Sequence, residues 1–308
     1  MSTTTETGEP VGKGELIALT GGSGFIGRRL AHCAHAAGYR LRRFERIPPT
    51  DDRDEGVAFD LGGSHLDPER LRGCEVLIHL AAHIPRDHGD PDEAERCWRM
   101  NALGTARLID SAIRGGVRHI IQTTSANAYA PSTIPPDEAA ALFPQSRSYY
   151  LGSKILQEIY AVEACRRASV SLTTLRLASV YGSGQTSGAV GAMVNSATTA
   201  GAIRVADAGR FGADLVAVDD VVAAILLTLA KKVSGPVNVG SGVRTTMAML
   251  AALIAARTGT RIVEDRGGGD PSDSGFPALD ITRLTGLGHR PTPLEAGIAA
   301  MLGQPHAN

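Results

Sequence analysis

From Leu16 to Leu177, short apolar runs alternate with stretches in which apolar positions recur every three or four residues. Leu16-Ile17-Ala18-Leu19 predicts a first strand, followed at once by the glycine-rich TGGSGFIG. Ile26, Leu30, Ala31, Ala34 and Ala37 then share one face of a helix over residues 25–37. Further strands are predicted near residues 39–45, at the short Val57-Ala58-Phe59 and at 76–80. One long helix is predicted over about 92–114, ended by Gly115-Gly116. A strand at 117–123, a helix at 149–168 and a strand at 170–177 complete the pattern. Strands alternating with helices predict an α/β fold, a doubly wound parallel sheet covered on both faces.

Past Tyr181 the pattern loosens. Gly, Ser and Thr dominate residues 182–201, and 267–277 is a loop of Gly, Asp, Ser and Pro. Helical runs return at 221–231, 247–257 and 294–302, which predicts a smaller lobe of short helices and loops. Residues 1–14 lack an apolar core and read as a disordered leader, not a secretory signal.

Composition narrows the function classes. A hydrophobic content of 43% over 308 residues supplies a large core without disulfides or a structural metal. The net charge of −1 gives no electrostatic reason to expect nucleic acid or an anionic membrane as partner. No apolar stretch is long enough to cross a bilayer. Cys33, Cys74, Cys97 and Cys165 have neither disulfide-framework nor zinc spacing, so no metal site is expected and they read as reduced thiols of a cytoplasmic enzyme.

Gly21, Gly24 and Gly27 form G-x-x-G-x-x-G between the first strand and first helix. Gly21 permits the tight turn, Gly24 admits a pyrophosphate to the backbone, and Gly27 lets helix and sheet pack closely. This predicts a Rossmann-type dinucleotide site, with residues 15–181 as the NAD-binding domain. Residues 182–308 then form mainly the substrate-binding lobe, with about 214–240 returning to the first domain. Glu45 closes the second strand, where a carboxylate bonds the adenosine ribose hydroxyls and repels a 2′-phosphate, which favours NAD. Arg42, Arg43 and Arg46 leave NADP open, since an adjacent arginine could hold that phosphate; the alternative is a solvated basic strand end.

Tyr150 and Lys154 stand four apart on one face of a predicted helix. There an ammonium would stabilise a phenolate and draw the tyrosine toward neutrality for acid–base work; a surface pair is the competing reading. Ser125 ends the fifth strand at the carboxyl edge of the sheet, where its hydroxyl could share a substrate oxygen with Tyr150 or merely terminate the strand.

Taken in order, TGGSGFIG, HLAA, NALGTARL, TTSANAYA, YLGSK, LRLASVYGSGQ, DLVAVDDV and LDITRLTGLGHRPTPLEAGI resemble an extended short-chain dehydrogenase/reductase of the NAD-dependent epimerase/dehydratase family. The resemblance runs from Leu16 to about Leu302. It implies that Phe25 and Ile26 stand at the glycine loop, Asp60 and Leu61 at the adenine, and Leu80, Ala81 and Ala82 along the pyrophosphate and ribose. Asn101 would lie close by, Lys154 would bond the nicotinamide ribose, and Ser125, Tyr150 and Lys154 would form the catalytic set. A homodimer is also implied, through helices at about 92–114 and 149–168. Ala94, Cys97, Met100, Leu108, Ile109, Ile155, Ile159 and Val162 are its candidate contacts.

Departures from the family pattern bear on the reaction. Family dehydratases follow the catalytic Ser or Thr with Asp-Glu; here Ala126-Asn127 stands instead, against a dehydratase. The arginine of R-D-F-x-x-V-D-D is replaced by Ala213, and the asparagine of N-V-Y-G by Ser179. Arg266 could hold a diphosphate or be a solvated loop residue. The expected function is an NAD-dependent sugar-nucleotide epimerase acting by transient hydride transfer, with a nucleotide sugar as substrate. An NAD(P)H-dependent ketoreductase is the alternative. A non-catalytic dinucleotide-sensing regulator would have no need of the Ser/Tyr/Lys set.

Overall fold

Seven strands of the chain lie parallel in one sheet. They belong to a computed structural model that describes residues 14–50, 52–87, 90–142, 148–185, 188–265 and 275–303. In chain order the first elements are β1 (Leu16–Thr20), α1 (Phe25–Ala36), β2 (Arg40–Glu45), β3 (Glu55–Ala58), β4 (Val76–His79) and α2 (Pro91–Cys97). A π-helical turn, Trp98–Gly104, leads into α3 (Thr105–Arg114), β5 (His119–Ser125), α4 (Tyr149–Ala168) and β6 (Ser171–Leu177). Then come β7 (Ser179–Tyr181), α5 (Ala189–Thr199), β8 (Ala202–Ala206), β9 (Gly212–Ala217), α6 (Val218–Ala230) and β10 (Gly235–Val239). The chain continues through β11 (Arg244–Thr246), α7 (Met247–Thr258), β12 (Arg261–Asp265), α8 (Thr282–Gly286) and α9 (Leu294–Leu302).

Alternation along each strand divides the sheet's two faces. Ile17, Leu19, Val76 and Ile78 pack with Leu30 and Ala34 of α1 and with Val221 and Ile225 of α6. Their neighbours Ala18 and Leu77 pack on the other face with Leu108 and Ile109 of α3 and Ala161 of α4. Because both faces are covered, the central strands β1 and β4 read as nearly unbroken apolar runs. The strands stand in the order β10-β6-β5-β4-β1-β2-β3; the order reverses between β1 and β4, which opens a crevice at their carboxyl ends.

The second half contributes β10 to this sheet and builds a smaller core of its own. There β9 pairs in parallel with β7 and antiparallel with β11, while β8 pairs with β12. Val190, Met193, Leu215, Leu250, Ile254 and Ile298 fill the space beneath them. Among the described residues no helix is long and apolar enough to cross a membrane, and no group of three or more His, Cys, Asp or Glu side chains could hold a metal.

The single long helix predicted over 92–114 runs unbroken over 91–114, with a π turn inside it. It starts well: Asp90 accepts from the Asp92 N–H, and Pro91 occupies the first turn. Near Trp98 it widens into the π turn. A Cβ at Gly104 would collide with the Leu61 carbonyl oxygen, so the glycine allows close approach where the turn widens. The helix faces also sort the candidate dimer contacts, some of which had to face the sheet. Cys97, Leu108 and Ile109 are buried in the fold's own core and Met100 lines the crevice, whereas Ile159 (61% exposed) and Val162 (51%) face outward.

Candidate active site

The crevice is a cleft of about 1690 Å³. At its floor the glycine loop turns on Gly21, at φ 73°, and the Gly24 N–H donates to the Gly21 carbonyl at 3.0 Å. A Cβ on Gly21 would stand 2.6 Å from the Ala81 nitrogen, and one on Gly27 would collide with the Gly21 carbonyl oxygen. Only glycine lets strand, loop and helix meet there. The N-cap of α1 is Gly24, with no capping side chain and no acidic residue in the first turn. Its N-terminal N–H groups are thus suited to an anion. Phe25 and Ile26 line the cleft beside them.

One end of the cleft is built from the ends of β2 and β3. The Glu45 carboxylate accepts from the Ser23 N–H at 2.9 Å and from its hydroxyl at 2.8 Å, which ties β2 to the glycine loop. Of the three neighbouring arginines, Arg42 pairs with Glu55 at 2.6 Å and Arg43 with Asp54 at 3.2 Å; Arg46 lines the cleft. Asp60 accepts from the Gly62 N–H at 3.1 Å, and Leu61 lies next to it on the cleft wall. Leu80, Ala81 and Ala82 continue the wall from the end of β4.

At the other end, Ser125, Tyr150 and Lys154 line the same cavity. Ser125 ends β5, and its oxygen accepts from the Asn127 N–H at 3.3 Å, so the hydroxyl hydrogen remains to donate. Ser148 caps α4 through the Leu151 N–H, and the helix presents Tyr150 and Lys154 one turn apart. Burial pulls the Lys154 ammonium down to about 7, against the raising field of Glu158. Burial pushes Tyr150 up to about 12, and Cys97 adds to this. The lowering of Tyr150 expected from the sequence is therefore reversed in the free protein: desolvation dominates, and the ammonium donates to Gln157 Oε1 at 2.6 Å. His79, buried between the Thr20 hydroxyl (2.7 Å) and the Thr105 hydroxyl (2.9 Å), is held down to about 3 by burial and the Lys154 charge. It remains neutral at physiological pH.

Residues 17–240 match the sequence profile of the NAD dependent epimerase/dehydratase family. The chain belongs to that family. It is 29% identical to the dTDP-L-rhamnose 4-epimerase of Burkholderia thailandensis, an alignment covering 94% of each chain. It is 28% identical to the UDP-glucose 4-epimerase of Mycolicibacterium smegmatis, over 78% of this chain and 82% of the relative. In fold it resembles the UDP-glucuronic acid 4-epimerase of Bacillus cereus, solved with UDP-glucuronic acid and NAD. There the TM-score is 0.84 at 18% identity, covering 93% of this chain and 98% of the other.

Within this NAD dependent epimerase/dehydratase fold, two of the residues expected at the site stand apart from the cleft lining. Asn101, on the π turn, accepts from the His83 N–H at 2.7 Å. It donates to the His83 carbonyl at 2.9 Å and to the Ser153 hydroxyl at 3.0 Å. Its amide clamps the loop after β4 to the first turns of α4. Ser179 is paired with Leu215 in the small sheet, and Ala213, two positions before Leu215 on β9, is buried in the second core. Arg266 lies outside the described residues. Sequence reasoning missed His83, which lines the cleft with Nε2 at 2.6 Å from the Glu93 carboxylate. The two are ten positions apart across a loop, a spacing that carries no periodic signal.

Proposed function

We propose that this chain is an NAD-dependent epimerase of nucleotide sugars. What carries the reading is the presence of the glycine cradle and the Ser125, Tyr150 and Lys154 group in one continuous cleft. The relatives named above, both epimerases of nucleotide-linked hexoses, support the substrate class. The cavity fits a dinucleotide: Gly21 and Gly27 leave the cradle clear of side chains, and the N-terminus of α1 offers N–H donors to a pyrophosphate. Glu45, with Arg42 and Arg43 engaged by Glu55 and Asp54, leaves the ribose end better suited to NAD than to NADP. NAD, when bound, supplies a reversible hydride acceptor. Tyr150 then exchanges a proton with the hydroxyl of the reacting sugar carbon, and Ser125 donates to the same oxygen. Lys154 keeps two further N–H donors, for a ribose hydroxyl and for the tyrosine oxygen.

Purified protein given NAD and a panel of UDP- and dTDP-hexoses should interconvert one pair of epimers, with no net change in absorbance at about 340 nm. A second reading, a one-way ketoreductase, is favoured by Ala213, whose burial in the second core leaves no phosphate-binding arginine there. Stoichiometric, irreversible consumption of NADH or NADPH with a ketone, without epimer exchange, would decide for it.

We further infer a homodimer built on the outer faces of α2, α3 and α4. Ile159 (61% exposed), Val162 (51%) and Trp98 (54%) are apolar side chains left on that surface. Light scattering at micromolar concentration should give twice the chain mass, and Ile159→Lys should reduce it toward the monomer. A monomeric wild-type protein removes the dimer.

A further inference from the structure

Behind the catalytic lysine runs a chain of polar side chains where apolar packing would be expected. Thr174 on β6, Gln122 on β5 and Gln157 on α4 are all 2% exposed or less. Gln122 Nε2 donates to the Thr174 hydroxyl at 3.1 Å, and its Oε1 accepts from Gln157 Nε2 at 3.0 Å. Gln157 Nε2 also donates to the Thr123 carbonyl at 3.3 Å. A buried amide costs stability unless each of its groups is paired, so such a row needs a purpose at one of its ends. It ends on the Lys154 ammonium.

The orientation of the Gln157 amide is fixed by chemistry. The Thr123 carbonyl can only accept and the Lys154 ammonium can only donate, so Nε2 must face the first and Oε1 the second. We propose that Gln157 is a positioning residue, whose locked Oε1 holds the Lys154 ammonium in place beside Tyr150. It takes one of the three ammonium N–H groups and leaves two for the cleft. The inference rests on the catalytic reading of Lys154 given above, but its test separates the two.

The charged or ionisable groups that act on Lys154 are Glu158 on its own helix, itself paired with Arg176 of β6, and His79 on β4; Tyr150 stands one helix turn before it on the same cleft wall. None of them is altered by substitution at position 157. Lys154 is one of four lysines, with Lys13, Lys231 and Lys232, so its titration can be followed by NMR of protein labelled at the lysine ε-carbon. Gln157→Met keeps the side-chain length and removes the acceptor; the Lys154 midpoint should fall by about one pH unit. Gln157→Glu restores an acceptor and adds a charge; the midpoint should rise by about one unit or more above wild type. Gln122→Met removes one of the two acceptors of Gln157 Nε2 while the Thr123 carbonyl still holds the amide, so it loosens Gln157 without turning it and should give a smaller fall.

The high-pH limb of kcat/KM should move in the same directions, since a charged Lys154 is what the limb reports. A role in packing alone would weaken all three variants without moving the midpoint in opposite directions. Unchanged midpoints, or shifts of one sign in Gln157→Met and Gln157→Glu alike, would overturn the proposal. Should Gln157→Met fail to fold, the upward shift in Gln157→Glu and the fall in Gln122→Met still decide it. If the midpoints move as stated while the activity limb does not, Gln157 positions Lys154, and it is the catalytic assignment of Lys154 that fails.

Discussion

Tyr150→Phe is expected to lower turnover by roughly 10²–10⁴-fold while leaving NAD affinity nearly unchanged. The substitution removes one oxygen and keeps the ring, so the packing at the start of α4 is preserved. What disappears is the cleft-lining phenol placed to exchange a proton with a sugar hydroxyl. With Tyr150 raised to about 12 and Lys154 lowered to about 7 by burial, the free protein near neutrality holds the phenol protonated, while the lysine titrates in the neutral range. Activity should therefore depend on pH in the range where Lys154 titrates. Steady-state rates with the true substrate, beside calorimetric titration of NAD, check the prediction. Full activity in Tyr150→Phe would refute the assignment.

The parts of this protein that were legible in its sequence are those in which one short segment does the work. The glycine loop is such a part, because steric demand at Gly21 and Gly27 leaves no other residue and the pattern lies between one strand and one helix. The apolar strands of the main sheet are another, since burial on both faces writes a continuous run. Tyr150 and Lys154 were visible because a helix places fourth neighbours on one face. The three-residue strands β7 and β11 were not visible, being too short to show a period. The π turn escaped because no local pattern marks it, and the close approach of Gly104 to Leu61 at its end joins residues distant in sequence. For the same reason Asn101 could be placed near the site but not given its partners. Gln157 and Glu158, adjacent polar residues on a helix, look like any solvent-facing pair until α4 is docked on the sheet. The reversed shift of Tyr150 was out of reach as well, since desolvation depends on everything packed around the ring.

The largest loss of stability is expected from Arg176→Leu. Arg176 and Glu158 are both buried, and the guanidinium donates to the carboxylate from Nε at 3.1 Å and Nη2 at 2.5 Å. It also donates to the Tyr129 hydroxyl at 2.8 Å and the Glu138 carbonyl at 3.0 Å, and stands 5.1 Å from the Tyr129 ring centre. Tyr129 in turn donates to Asn238 at 2.6 Å, and Asn238 bonds the carbonyls of Pro136 and Asp280. One guanidinium thus joins α4, the segment after Ser125, β10 and the residues before α8. Removing it leaves the Glu158 carboxylate buried, with the Thr124 hydroxyl as its remaining side-chain hydrogen-bond donor among the described residues, and a buried pair broken on one side costs about 3–5 kcal/mol. Thermal unfolding should show a fall in Tm on the order of 10 °C. In Arg176→Leu/Glu158→Leu no charge is stranded, so much of that loss should be recovered, and the double-mutant cycle isolates the coupling. A single variant within about 1 kcal/mol of wild type would show that the pair carries little of the fold. The double variant has a second expected consequence, because Glu158 supplies the field that raises Lys154. With that field gone the Lys154 midpoint should drop even where the fold is restored. The stability of this network and the charge state of the site are therefore set by the same carboxylate.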